Sequence, residues 1–285
     1  MKQVILLLLV GLFSSNIASA QIKTPAPSPT AKLTQDVGLT NITIEYSRPS
    51  AKGRKIFGDL VPFNEMWRTG ANASTKITFG DDVTIGGSNK VPKGTYALYT
   101  IPGEKTWTII IHKNTTFWGT GGKDYKAEED ACRFDVAVQS VSPSVESFTI
   151  DVNNIKGNGA DMVISWENTR VLIPFALDTD TKVMADIKAQ MAGPSSNTLY
   201  QAARYYYDEK KDMAQALVWI TQAMEKGGEK FWMLRYKALI LAELSRYKEA
   251  IEAANRSSEL AKAEDNADYP RMNDKSIGEW KNKAK

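Results

Sequence analysis

The feature that most constrains the fold is a two-residue alternation of apolar and other side chains, which runs from about residue 36 to residue 178. Short segments rich in Val, Ile, Thr and aromatic residues carry the alternation, and Gly, Pro, Asn and Asp separate them. These segments are NITIEYS, TKITF, TYALYTI, TWTIIIH, ACRFDVAV, SFTIDV, DMVISW and RVLIPF. Because no long helical segment interrupts them, the pattern predicts an antiparallel β-sandwich or barrel rather than a parallel α/β sheet.

The period changes near residue 181, beyond which Ala, Leu, Lys, Glu and Gln recur at helical spacing. Helices are predicted over 181–191, 197–208, 212–226, 230–243 and 247–262. Gly193-Pro194 and Gly227-Gly228 separate some of these helices.

The helical part contains an internal similarity. MAQALVWITQAME aligns with YKEAIEAANRSSE at an offset of 34 residues, which places Ala216 with Ala250 and Leu217 with Ile251. This is the period of the tetratricopeptide helix pair. Two interpretations remain open: a small α-helical hairpin (tetratricopeptide-like) domain, and a plain helical bundle with a coincidental repeat. Because a free-standing array needs about three units, we expect the helices to pack on the β-domain or on a partner.

The N-terminus has the pattern of a secretory signal peptide. Lys2 precedes the apolar run VILLLLVGLF, and Ala18-Ser19-Ala20 is an A-x-A cleavage signature. The run is too short for a membrane-spanning helix. We therefore expect an exported product, periplasmic or secreted, that begins at Gln21 and has no membrane span.

These observations predict five segments along the chain. They are a signal peptide (1–20), a flexible linker (21–35), an antiparallel β domain (36–178), a helical-hairpin domain (179–264) and a polar tail (265–285). The linker is inferred from its Pro, Ser and Thr content. The tail is polar throughout and is expected to be only partly ordered.

Composition excludes several functions. A net charge of +3 with 24% charged residues is not typical of a nucleic-acid-binding protein. With one histidine and one cysteine, the chain has too few ligands for a zinc site, and it contains no D-x-D-x-D-G calcium loop. No metal or cofactor is predicted. Cys132 alternates with Phe134 and Val136, which favours a buried, inert thiol and leaves no partner for an internal disulfide.

No catalytic residue is predicted. A Ser-His-Asp triad would have to use His112, but no G-x-S-x-G motif is present, and its place at a strand end favours a structural or surface role. GTGGKDY lacks the Ser or Thr that follows the lysine of a phosphate loop, and it is predicted to be a flexible loop.

The acidic residues carry no distinguishing marks. Asp81-Asp82 and Glu128-Glu129-Asp130 are interpreted as solvated loop acids. The paired carboxylates of a glycoside hydrolase come together only in the fold, so they are not recognisable in sequence. The candidates for such a pair are Glu45, Asp59, Glu65 and Glu167.

The segment RKIFGDLVPFNEMWRTGAN, residues 54–72, shows neither the two-residue period of a strand nor the spacing of a helix. It supports two interpretations. The first is a binding site for an anion or glycan, in which arginine forks bind carboxylate or phosphate and an indole offers a flat surface. This site would be centred on Arg48, Arg54, Trp67 and Arg68.

The second interpretation is a structural plug, and it is favoured because aromatic side chains are most often buried. Five apolar residues would then close one end of the sandwich: Ile56, Phe57, Leu60, Val61 and Phe63. Gly53, Gly58 and Gly70 would supply backbone angles that other residues rarely adopt.

Four strings resemble the exported bacterial domain of unknown function family 2911 over about residues 36–178. They are SRPSAKGRKIFGDLVPFNEMWRTGANASTKITF, VPKGTYALYTIPGEKTWTIII, WG and SWENTRVLIPF. The resemblance implies an exported β-domain, with a helical tail as a frequent companion. It transfers no catalytic residues, because no activity is established for the family.

The sequence thus predicts an exported, non-enzymatic protein of the bacterial envelope that binds a ligand or a protein. Its expected partner is an unknown protein, an envelope glycan or another anionic ligand. One alternative is a hydrolase of envelope glycans or peptides that uses carboxylates or His112, and another is a purely structural envelope protein.

Overall fold

The computed structural model describes residues 24–284, and the predicted signal peptide, 1–20, lies outside the described residues. The described chain is a β-region followed by a helical region. The strands are β1 (Thr30–Val37), β2 (Thr40–Ser47), β3 (Thr75–Phe79), β4 (Val83–Ile85), β5 (Asn89–Val91), β6 (Gly94–Ile101), β7 (Thr106–His112), β8 (Asp130–Lys156) and β9 (Gly159–Leu177). The helices are α1 (Thr179–Gln190), α2 (Ser196–Asp208), α3 (Met213–Gly227), α4 (Phe231–Glu243), α5 (Tyr247–Ala263) and α6 (Asp268–Lys283).

The strands form a nine-stranded antiparallel sheet in the order β1-β2-β3-β6-β7-β8-β9-β4-β5. The long strand β8 joins its two halves, because its first residues pair with β7 and its later residues pair with β9. Irregularities in the β8–β9 register interrupt the pairing after Ser140 and allow the sheet to turn over the core. The predicted antiparallel β-domain is confirmed.

The core lies between the two halves of the sheet. Ile44 and Ile77 enter it from the first half, and Ile150 and Ile164 enter it from the second; each is at most 2% exposed. The alternation that defined the strands in sequence is therefore the alternation between this core and the outside.

Strands β6 and β7 depart from simple alternation because both of their faces are buried. Tyr99 and Ile110 point away from the main core into a smaller cluster with Phe117 and Tyr125. The loop 113–129 covers this outer face and contains two short 3-10 turns. The first of them, Gly122–Asp124, lies within GTGGKDY, which was predicted to be a flexible loop.

Strand β1 corrects the predicted linker, since six of its residues were assigned to flexible chain. Thr30 pairs with Ser47 and Val37 pairs with Thr40, so the whole of β1 is hydrogen-bonded to β2. The apolar residues on its inner face are few and lie among Thr, Lys and Gln, which made the strand resemble the proline-rich segment before it.

The five predicted helices are confirmed, each within a few residues of its expected bounds. The helices α2 and α3 pack against each other, as do α4 and α5. Ala216 and Ala250, which the 34-residue offset equates, are both fully buried in these pairs.

Helix α6 corrects the predicted polar tail. Asn273, Ile277 and Trp280 recur at helical spacing, and each is at most 7% exposed. Ile277 and Trp280 pack on Ala250 and its neighbours of α5. With Pro270, only four residues of this polar segment are buried, so its composition gave no sign of a helix.

The main contacts of the helices are with neighbouring helices, and α1 follows β9 directly. At this junction the Lys182 ammonium donates to the Asp81 carboxylate. Asp81 is therefore ion-paired rather than simply solvated, and the pairing lowers its pKa. Among residues 24–284, no helix has the length and apolar character needed to span a membrane.

Candidate functional site

The segment 48–74, here called the crossing segment, connects β2 to β3 over one end of the core. Near its start, the Ala51 amide donates to the Glu146 carbonyl of β8 (2.8 Å). Further along, Trp67 and Thr100 of β6 exchange two backbone hydrogen bonds of 2.7 and 3.0 Å. The crossing segment is thus fixed to both halves of the sheet.

The plug interpretation is confirmed for most of its residues. Ile56, Phe57 and Val61 are at most 6% exposed and belong to the main core. Phe63 is half-buried, and Leu60 is 44% exposed, so Leu60 does not take part in closing the core.

Trp67 lies at the centre of an aromatic cluster. Its ring stacks on Trp166 with centroids 6.0 Å apart, and it meets Phe57, Trp107 and Phe148 edge to face at 6.0, 6.2 and 5.2 Å. Its Nε1–H donates to the Gly70 carbonyl (3.0 Å). Only 9% of Trp67 is exposed, so the side chain is chiefly structural.

Gly58 and Gly70 are required for the path of the crossing segment. Gly58 has φ +85°, and a Cβ there would lie 2.5 Å from the Phe63 ring. Gly70 has φ +145°, and a Cβ there would lie 3.1 Å from the Ser47 carbonyl oxygen. These angles favour glycine, as expected for a turn that brings backbones close together.

A cavity of about 640 Å³ lies on the outer side of the crossing segment, over the aromatic cluster. Its cationic lining residues are Lys52, Arg54 and Arg68, and its acidic lining residue is Glu65. Leu60, Met66, Trp67 and Trp166 line its apolar parts. The structure therefore brings together three of the four residues of the predicted binding site, Arg54, Trp67 and Arg68.

Arg48, the fourth, is not among the residues that line the cavity. Its Nε donates to the Phe148 carbonyl (3.0 Å), and a terminal nitrogen donates to the Thr149 hydroxyl (2.8 Å). Its guanidinium therefore joins the end of β2 to β8. Arg48 was expected to bind a ligand, but here its guanidinium bonds two strands together. The sequence alone does not distinguish these two roles.

Arg54 and Arg68, here called the rim arginines, are oriented by the backbone of the crossing segment. Arg54 donates to the Ala51 and Ser50 carbonyls (3.0 and 2.7 Å), and Arg68 donates to the Asn72 carbonyl (2.9 Å). Within residues 24–284 neither guanidinium forms an ion pair. Both retain N–H donors and a full charge for a ligand.

Trp118 extends the site beyond the cavity. Its side chain is 74% exposed, and its backbone forms an isolated bridge with Ala73. The next residue, Gly119, donates its amide to the same Asn72 carbonyl that accepts from Arg68 (3.3 Å). The backbone that follows this exposed tryptophan therefore lies beside one of the rim arginines.

The predicted solvated acid Asp130 is instead the centre of a buried network, which is a correction. It is 8% exposed, and its Oδ1 receives hydrogen bonds from His112 Nδ1 (2.8 Å) and the Tyr125 hydroxyl (2.5 Å). The Arg133 guanidinium donates to Oδ2. Burial and then the hydrogen bond to Asp130 raise the pKa of Tyr125 to about 12.

His112 is fully buried, which excludes the surface role and leaves the structural one of the two roles favoured by the sequence. Its ring stacks on Tyr125 with centroids 4.6 Å apart, and its Nε2 has no hydrogen-bond partner within residues 24–284. The register of β7 and β8 places His112 opposite Asp130, a juxtaposition that sequence alone does not reveal. The pair joins the two strand ends that flank the loop 113–129, and Tyr125 of that loop bonds to the same Asp130 carboxylate.

Cys132 is half-buried against the main core. Burial, and secondarily the charge of Asp130, raise the pKa of its thiol to about 11. This environment agrees with the inert thiol predicted from sequence, since the thiolate is the reactive form.

The candidate carboxylates of a hydrolase are not assembled in the cavity. Glu65 lines it, whereas Glu45 is paired with Lys32 (2.7 Å) on the β1–β2 surface. Glu167 accepts from the Ile56 amide (3.3 Å), and Asp59 lies outside the lining. No group of three or more His, Cys, Asp or Glu side chains in the described part of the chain is placed to hold a metal ion.

Comparison with known proteins finds one family. A family model described as "Protein of unknown function (DUF2911)" matches residues 28–175, just over half of the 285 residues. No curated protein and no solved structure matches the chain.

Proposed function

We propose a function from the cavity itself, since the chain belongs to the DUF2911 family, whose description assigns none. The β-domain would be an exported, non-enzymatic binding domain of the bacterial envelope, and its cavity would take an acidic glycan. The observation that supports this most directly is the pair of rim arginines, which are held by the backbone and form no ion pair within residues 24–284.

The charge of the cavity favours an anion. Three cations line it against the single acid Glu65, so its lining carries a net positive charge. Each guanidinium presents paired N–H donors that match a carboxylate or phosphate. A hydrogen bond to a charged group contributes about 1.5–3 kcal/mol, which corresponds to about tenfold or more in affinity for each arginine.

The surfaces beside the rim arginines favour a ligand that contains rings. Leu60, which is 44% exposed, lies at the cavity. Trp118, which is 74% exposed, lies next to Arg68 through Asn72 and Gly119. A flat indole and an exposed apolar side chain near charged donors suit pyranose rings that carry carboxylates. An acidic oligosaccharide satisfies both requirements, and it would extend from the cavity to Trp118.

The test is calorimetric titration of the chain from Gln21 to Lys285 with hexagalacturonate, using neutral maltohexaose as the matched sugar. We expect saturable binding of hexagalacturonate, little binding of maltohexaose, and weakening at higher salt because the attraction is electrostatic. The double variant Arg54→Gln, Arg68→Gln should lose about 100-fold in affinity or more, from about tenfold for each arginine.

The control variant is Lys55→Gln, since Lys55 is an exposed cation of the crossing segment that does not line the cavity. It should bind like the parent chain. Thermal unfolding of both variants checks that the fold is intact. If the double variant and the control bind hexagalacturonate equally well, or if maltohexaose binds as tightly, the proposal is wrong.

A further inference from the structure

Strand β1 lies at one edge of the nine-stranded sheet. Among residues 24–284, β2 is the only strand that pairs with it, and β8 comes close to β1 without forming a ladder. The strand at the other edge, β5, has three residues, whereas β1 has eight. A free edge carries amide and carbonyl groups to which a further strand can bond, so β1 offers a surface for strand pairing.

The register shows which backbone groups of β1 are free. The Arg48 amide donates to the Pro29 carbonyl (2.8 Å), and these two residues stand opposite each other where the β1–β2 register continues. Antiparallel strands alternate hydrogen-bonded and non-hydrogen-bonded pairs, so the odd-numbered residues of β1 bond to β2. The even-numbered residues therefore direct their amide and carbonyl groups to the free edge. In the middle of the strand these residues are Lys32, Thr34 and Asp36.

The side chains at the free edge are exposed as well. Exposure alternates along β1, and its even-numbered residues are all exposed, whereas Ala31 and Leu33 pack against the main core. The Asp36 carbonyl accepts from the Gln35 side-chain amide (3.0 Å), but it retains a second lone pair. The edge and the outer face of β1 are therefore accessible to another strand.

A row of threonines crosses the outer face of the sheet and ends at the free edge. Thr34 of β1 stands opposite Thr43 of β2, and their hydroxyl oxygens are 3.0 Å apart. Thr43 stands opposite Thr78 of β3. Thr78 in turn stands opposite Thr95 of β6, with hydroxyl oxygens 2.9 Å apart. This threonine row favours a strand that places another hydroxyl beside Thr34, because cross-strand threonine pairs stabilise a sheet.

A row of charges runs beside the threonine row and alternates in sign. Lys76 of β3 stands opposite Glu45 of β2, and Glu45 pairs with Lys32 of β1 (2.7 Å). The row ends at the free edge with Lys32, whose side chain is 63% exposed. On the other side of Thr34, the exposed Asp36 offers the opposite charge. A further strand continues the alternation if it places an acid opposite Lys32 and a cation opposite Asp36.

We propose that the strand that satisfies both rows is β1 of a second copy of this chain. Two copies pair antiparallel through β1, about a two-fold axis at Thr34. Because Lys32 and Asp36 lie two residues on either side of Thr34, this register places Lys32 of each copy opposite Asp36 of the other. It also places the two Thr34 residues opposite each other, so the threonine row continues from one copy into the next.

The backbone groups fit this register. Lys32, Thr34 and Asp36 all direct their amide and carbonyl groups to the free edge, so each opposing pair exchanges two hydrogen bonds. The two-fold axis uses the same edge in both copies, so the association stops at a dimer. One strand pair buries less surface than the roughly 1,600 Å² of a standard interface. We therefore expect a weak dimer, with a dissociation constant on the order of 100 µM.

Sedimentation equilibrium of the chain from Gln21 to Lys285, between about 5 µM and about 1 mM, tests the proposal. We expect a reversible monomer–dimer equilibrium. Asp36→Lys puts like charges opposite each other on both sides of the axis, so it should weaken dimerisation at least about tenfold. The matched control is Asp59→Lys, the same charge change at an exposed position of the crossing segment, which should dimerise like the parent chain. Melting temperatures check that both variants are folded.

Cysteine cross-linking in a Cys132→Ser background tests the register. Thr34→Cys should form a disulfide-linked dimer in a glutathione redox buffer, because opposing Cα atoms of a hydrogen-bonded pair are about 5.5 Å apart. Lys32→Cys alone and Asp36→Cys alone should not, since each residue lies four positions, about 14 Å, from its own copy across the axis. A mixture of these two variants should cross-link.

No residue of β1 lines the cavity of the β-domain, so dimerisation is independent of the proposed glycan binding. The double variant Arg54→Gln, Arg68→Gln should therefore dimerise like the parent chain. The proposal is wrong if the chain remains monomeric up to about 1 mM. It is also wrong if Asp36→Lys dimerises as Asp59→Lys does, or if Thr34→Cys cross-links no faster than Lys32→Cys alone.

Discussion

Replacing Trp67 with alanine removes the central ring of the aromatic cluster that closes the β-domain. The indole has four aromatic neighbours with centroids between 5.2 and 6.2 Å away, and it is 9% exposed. Truncation of a buried tryptophan to alanine costs about 3–5 kcal/mol. Loss of the indole bond leaves the Gly70 carbonyl without this partner, and each edge-to-face pair contributes about 0.5–1.5 kcal/mol beyond its area.

We therefore expect a loss near the upper end of that range, about 4–5 kcal/mol in the free energy of unfolding. The measurement is urea unfolding at equilibrium, followed by the fluorescence of Trp107 and Trp166, which lie in the same cluster. The midpoint should fall while the slope stays similar, because the surface exposed on unfolding changes little.

Trp118→Ala is the matched control, since it deletes the same side chain from a position that is 74% exposed. It should change the free energy of unfolding by no more than about 0.5 kcal/mol. A loss below about 1 kcal/mol for Trp67→Ala, or equal losses for the two variants, would show that the cluster does not hold the crossing segment in place.

Three further predictions concern the start of β8 and the loop that precedes it. Burial raises the thiol pKa of Cys132 from 9.0 to about 11, so at about pH 8 its alkylation by iodoacetamide should be roughly 100-fold slower than that of a free cysteine. Mass spectrometry measures the rate, and a rate within about tenfold of that of a free cysteine would contradict this prediction. Asp130→Asn leaves buried donors without their carboxylate, so it should lower the free energy of unfolding by about 3 kcal/mol, measured by thermal unfolding. The control Asp124→Asn lies on the exposed part of the loop and should leave that free energy almost unchanged. The pKa of Tyr125 is raised from 10.0 to about 12, so its stabilisation is complete below pH 10 and is lost as the pH rises through 12; Tyr125→Phe should reduce that alkaline loss in a pH series of melting temperatures.

The parts of the fold that sequence predicted are those in which one periodic signal dominates a segment. The strands β2, β3, β6, β7, β8 and β9 and the helices up to α5 carry several apolar residues each, so their period is clear. The strands β4 and β5 are only three residues long and were not predicted. In β1 and α6 the core contacts come from a few residues in polar surroundings, such as Ile277 and Trp280, and local composition outweighs the period. Both β1 and α6 therefore form because of tertiary packing rather than because of a strong local pattern.

The candidate site was predictable only as a collection of residues. Arg48, Arg54 and Arg68 are equivalent in sequence, and only the position of β8 turns the first into a brace while the other two line the cavity. In the same way, the pairing of His112 with Asp130 depends on the register of β7 with β8. Such relations follow from long-range contacts, which no local pattern encodes.

The structural and the binding interpretations of the crossing segment support each other physically. Buried Ile56 and Trp67 fix the backbone, and the Ala51 and Asn72 carbonyls of that backbone orient the two rim arginines. Ordering a long cationic side chain on binding costs about 0.5–1.5 kcal/mol, and a side chain that is already oriented avoids much of this cost. In the proposed function, the plug would therefore supply the rigid support with which the cavity retains an anion at physiological salt. On this reasoning, a change that loosens the plug without touching either arginine should weaken hexagalacturonate binding before it unfolds the domain.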